Sequence, residues 1–171
     1  MRALAALLCL AAPALSCTRA PAVLTDEEQR AVTAEVREAI IDLRAAMNAQ
    51  DPQRVSTRYD RSGDFAYVGC TELILGGAEY RRITSPYYSA SRSVTFEQEV
   101  VHIRALDRHA AVVAMRGSST RAPHLFWTQV WIKDGSGRWV VGHEHESWPG
   151  CREPRGAHPP TAPPGTTGTI R

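Results

Sequence analysis

Arg138-Trp139-Val140-Val141-Gly142-His143-Glu144-His145-Glu146-Ser147-Trp148 holds the pattern around which the rest of the chain is arranged. Read at a period of two, it is a β-strand with Trp139, Val141, His143, His145 and Ser147 on one face and Val140, Gly142, Glu144, Glu146 and Trp148 on the other. Two imidazoles then share one wall. Three further long β segments precede it, at 93–106, 109–121 and 124–133. Asp107-Arg108, Ala122-Pro123 and Asp134-Gly135-Ser136-Gly137 separate the four, and joints this tight make antiparallel neighbours. Segments of this length favour a curved sheet, which needs a cover on its concave side.

The N-terminal half supplies that cover. Thr25 with Glu28 forms a capping box, and Val32, Val36, Ile40, Leu43 and Met47 then draw one apolar stripe on a helix running to about Ala49. Asp51-Pro52 restarts the chain as cap and first residue of a short second helix with Val55 and Tyr59 inward. Two short strands follow, at 64–69 and 72–75, and then a third helix from Ala78 to about Ser89, weakened by Pro86. The expected fold is α+β: a cone-like curved antiparallel sheet of about six strands covered by about three N-terminal helices.

Composition narrows the function. The 20 basic and 18 acidic residues leave a net charge of +2 with no run of one sign, so no nucleic-acid surface is expected. Met1-Arg2 followed by the apolar run Ala3 to Ala14 reads as an export signal. Ala14-Leu15-Ser16-Cys17 fits a lipoprotein cleavage site, with Cys17 lipidated and the protein anchored to a bacterial cell envelope; Ala12-Pro13-Ala14 is the alternative, giving a soluble secreted or periplasmic product. In an oxidising compartment Cys70 and Cys151 form the expected disulfide. The domains are an export signal at 1–16, a tether at 17–24, the folded unit at 25–150 and a Pro-, Gly- and Thr-rich disordered tail at 151–171.

The order of elements resembles the nuclear transport factor 2-like superfamily, and its detail is similar to the SnoaL-like branch. The resemblance is carried by Ala46 to Asp51, Phe65-Ala66-Tyr67-Val68-Gly69, Gly76-Gly77-Ala78-Glu79-Tyr80, and above all by Thr128 to Gly135, Gly137 to Val141 and His143 to Ser147. It implies a cone-like domain enclosing an apolar cavity, commonly dimeric through the outer sheet face. In that superfamily one cavity serves isomerases, dehydratases, cyclases, hydrolases and binding modules, so the fold does not fix the function.

Two readings of the site follow. In the first, the domain binds a small apolar or amphipathic molecule in a pocket lined by Tyr59, Tyr67, Tyr80, Tyr87, His143, His145 and Ser147. In the second, His143 and His145 act as acid and base in cofactor-free isomerisation, dehydration or hydrolysis. Neither a metal nor a cofactor is expected, because His-x-His lacks a placed third ligand. Trp127, Gln129 and Trp131 are assigned to an outer face that buries itself in a homodimer, with Glu144 and Glu146 on that same outward side.

Overall fold

The computed structural model describes residues 23–89 and 94–151. Its elements are α1 (Asp26–Asn48), α2 (Pro52–Ser56), β1 (Ala66–Val68), β2 (Leu73–Leu75), α3 (Gly77–Thr84), a 3₁₀ turn (Ser85–Tyr88), β3 (Phe96–Ala105), β4 (Ala110–Ser119), β5 (Ala122–Lys133) and β6 (Trp139–Ser147). The six strands form one sheet in the order β2-β1-β6-β5-β4-β3. Every pairing is antiparallel but one: β1 runs parallel to β6, so the sheet is mixed. The export signal, Cys17, most of the tether and all of the tail beyond Cys151 lie outside the described residues.

Helix α1 covers the sheet as its stripe requires. Thr25 accepts from the Glu28 backbone while Glu28 accepts from the Thr25 backbone at 2.9 Å, which satisfies two orphan donors at the helix start. Val32, Val36, Ile40, Leu43 and Met47 are all buried, joined by Ala39 and Ala46. The far end of the helix is tied to edge strand β3: Asn48 Nδ2 donates to the Phe96 carbonyl at 3.0 Å and its Oδ1 accepts from the Phe96 N–H at 2.8 Å. Near the start of β6, Trp139 Nε1 donates to Glu35 at 2.7 Å. These ties fix the helix across the strands and leave a cavity where it runs out toward β3.

Two local features position the site. After α2 the chain bridges to β6, with Asp60 N–H donating to the Val141 carbonyl at 2.9 Å and Val141 N–H to the Arg58 carbonyl at 2.8 Å, so Tyr59 is held against the middle of β6. The second is a bulge in β6. Val130 of β5 faces His143, whereas the next residue, Trp131, faces Val141, so Gly142 is an extra residue with no partner. Before it Trp139 and Val141 point into the core; after it, every side chain has changed face.

Candidate functional site

A cavity of about 560 Å³ opens between the sheet, the end of α1, α3 and the 3₁₀ turn. Its walls are aromatic and aliphatic, from Met47, Tyr67, Tyr80, Tyr88, Phe96 and Trp127 among others, and Gln129, Glu144 and Glu146 bring polar groups into them. The Gly142 bulge is what delivers the two carboxyls. It turns Glu144 and Glu146 to the face that holds Trp139 and Val141, opposite the buried row Leu125, Trp127, Gln129 and Trp131 of β5.

Glu144 is 3 % exposed. Its Oε2 accepts from Tyr59 Oη at 3.1 Å and from Gln129 Nε2. Trp131 Nε1 donates to Gln129 Oε1 at 2.8 Å, which orients the amide so that its NH₂ meets the carboxyl. Both bonds to Glu144 fall on one oxygen, and Oε1 has no hydrogen-bond partner among the described residues. Glu146 is held in the same manner, with Trp127 Nε1 donating to its Oε2 at 2.9 Å.

The electrostatics follow from this packing. Burial, reinforced by the charge of Glu146, pushes the Glu144 carboxyl up to about 8 against the pull of Gln129 and Tyr59. Burial also raises Glu146, with Glu72 adding repulsion and Trp127 opposing. Tyr59, Tyr80 and Tyr88 are raised by burial first and by the Glu144 charge second. At neutral pH Glu144 is therefore mostly a neutral carboxylic acid, able to donate as well as accept.

Several expected positions are corrected. His143, His145 and Ser147 do not line the cavity; they stand on the opposite face of β6, where His143 neighbours Ala66 and Val130, and His145 neighbours Val68 and Thr128. The alternation that grouped them with Trp139 and Val141 is broken by Gly142. Trp127, Gln129 and Trp131 are not a dimer face: they are at most 4 % exposed and point inward. They do share a face with Glu144, Glu146 and Trp148, as expected, but it is the cavity face. The outer face instead carries Leu73, Leu75 and Phe126, each more than half exposed. Of the tyrosines, Tyr67, Tyr80 and Tyr87 line the cavity, and Tyr59 lies behind it as the donor to Glu144.

Sequence reasoning missed Glu144, Glu146, Gln129 and Tyr88. The available signal was Gly142, since an isolated glycine inside a strand pattern marks a bulge. Cys70 and Cys151 form a disulfide with Cα atoms 5.2 Å apart, and it joins two segments of the cavity rim, Gly69 to Glu72 and Trp148-Pro149. Among the described residues, no group of three or more His, Cys, Asp or Glu side chains could hold a metal ion.

With the cavity and its carboxyls in place, the comparison with known proteins is decided by the SnoaL-like domain family, which matches residues 36–150. The chain belongs to the SnoaL-like domain family. Among solved structures it resembles an NTF2-like protein of unknown function from Shewanella oneidensis, at 19% identity and a TM-score of 0.60 over 67% of this chain and 98% of that one. A dehydratase candidate of the NTF2-like family from Streptomyces avermitilis has 16% identity and a TM-score of 0.61, over 71% and 98%. A ketosteroid isomerase-like protein from Erwinia carotovora has 19% identity and a TM-score of 0.53, over 72% and 97%. At these identities the likeness is one of fold. No curated protein matches the sequence significantly.

Proposed function

We propose that this SnoaL-like domain binds a small, mainly apolar molecule in the cavity, with the carboxyls of Glu144 and Glu146 meeting its polar group. The observation that carries the reading is Glu144: a carboxyl 3 % exposed, held by Tyr59 and Gln129 through one oxygen, with no hydrogen bond to its other oxygen among the described residues, in the wall of an aromatic cavity. A preformed apolar cavity with a few convergent polar groups is the usual form of a small-molecule site.

Acid–base catalysis is the second reading, now resting on Glu144 in place of the histidines. A carboxyl pushed up to about 8 can give or take a proton near neutral pH, and Tyr59 and Gln129 fix its position. The names of the dehydratase candidate and the ketosteroid isomerase-like protein support this class of chemistry without naming a substrate. An exported location is supported by the Cys70–Cys151 disulfide, a bond that persists in oxidising compartments.

Nile red, a neutral apolar dye, tests the binding reading. Its fluorescence rises with the wild-type protein and with Leu75→Gln, which alters only the outer face. Ala122→Trp, which places an indole in the cavity wall, abolishes the rise. An equal rise with Ala122→Trp and a loss with Leu75→Gln would assign binding to the outer face and remove the cavity claim.

A further inference from the structure

The walls of the cavity and the polar groups in them have chemistries that together select a class of ligand; this step rests on the cavity being a binding site. Glu144 and Glu146 enter from β6, and Glu72 lines the rim from the turn between β1 and β2. The three are close enough for repulsion to pass along them: the charge of Glu72 raises Glu146, and that of Glu146 raises Glu144. Among the described residues none of the three belongs to an ion pair. The basic side chains in the wall are Arg121, in the β4–β5 connection, and His124, near the start of β5, and the Arg121 guanidinium lies 6.0 Å from the centre of the Tyr87 ring. One cation therefore already rests on this aromatic wall. Trp127 is the cross-strand neighbour of Glu146 and Tyr67 that of Glu144, and with Tyr80, Tyr88 and Phe96 they make an aromatic lining whose ring faces carry negative potential.

A cation placed between these groups gains from both, since the ring faces attract it and it relieves the repulsion among the carboxyls. A neutral polar group gains only a hydrogen bond, and an anion adds to the repulsion. We propose that the ligand is an organic cation, an amine on an aromatic or aliphatic body, with its nitrogen at Glu144 and Glu146 and its body between the rings.

Binding of such a cation carries a proton signature. The titratable groups facing Glu144 are Tyr59, Tyr67, Tyr80, Tyr88 and Glu146, with Glu72 beyond; Arg121 and His124 stand in the wall. Because the Glu144 carboxyl is mostly neutral at pH 7, a bound ammonium displaces its proton. Affinity then rises with pH up to about 8 and falls when the amine itself loses its proton near pH 10.

Three probes of one shape test the idea on the full disulfide-bonded chain by titration calorimetry: 2-phenylethylamine, 2-phenylethanol and 3-phenylpropionate. The amine is expected to bind about ten-fold tighter than the alcohol, with the acid weakest. Its binding heat at pH 7 is expected to vary with the ionisation enthalpy of the buffer, as release of a proton requires. In the Glu144→Gln, Glu146→Gln double variant the amine and the alcohol bind within about three-fold of each other; should that variant fail to fold, Glu146→Gln alone still reduces the preference. Equal binding of amine and alcohol to the wild type, tightest binding of the acid, or a preference that survives the substitutions overturns the cation assignment and leaves the binding site standing. No binding of any probe at millimolar concentration overturns both.

Discussion

Glu144 concentrates the consequences of the fold in one carboxyl. Its ordinary value is 4.5 and burial raises it to about 8, so between those limits the folded chain holds a proton that the unfolded chain has released. The sign is therefore fixed: the stability contribution is fully present below pH 4.5 and is lost as pH rises through about 8. Each pH unit in that window removes on the order of 1.4 kcal/mol. Urea unfolding between pH 5 and 8 is expected to show this fall in the wild type and a flatter profile in Glu144→Gln. Identical slopes would mean that Glu144 is not the group responsible. His143 and His145 were more visible in the sequence because imidazole chemistry is familiar, yet residue type carries no information about which face of a strand is wet. Trp131 orients Gln129 from two residues along β5, but the bond from Gln129 to Glu144 crosses to β6, and no spacing along one strand reveals it.

The elements were legible where period and capping agree. The stripe of α1 and its capping box, the Asp51-Pro52 restart and the four long strands all read directly from local pattern. Pro86 weakened the third helix as expected, and α3 gives way to a 3₁₀ turn one residue after Thr84. The parallel pairing of β1 with β6 was not legible, since it joins segments far apart in sequence and depends on the bridge at Tyr59. The face of β6 was lost at one residue, Gly142, because a bulge reverses every position after it. Gly76 and Gly77 are constrained in another way. Gly76 has φ of 84°, and a Cβ on Gly77 would lie 1.9 Å from the Asp60 carbonyl oxygen. Backbone must move to admit it, so Gly77→Ala is expected to lower stability by about 2 kcal/mol or more in denaturant unfolding. An unchanged midpoint would show that α3 does not pack against the Asp60 segment as described.

For the whole molecule, the disulfide links the loop after β1 to the chain beyond β6 and so closes both the fold and the cavity rim. Its residues are 81 apart, for which the chain-entropy estimate is about 4.5 kcal/mol. The Cys70→Ser, Cys151→Ser double variant is expected to lose up to that amount in denaturant unfolding, and protein isolated from its host is expected to show neither thiol free. Two free thiols in that material would remove both the bond and the argument for an exported location. Whether the cavity is occupied in use is read by native mass spectrometry of the protein purified from its own host. A small molecule bound to the wild type, lost on denaturation and absent from Ala122→Trp, is expected; a wild type with no bound molecule, or one held equally by Ala122→Trp, would mean that the cavity is not the binding site.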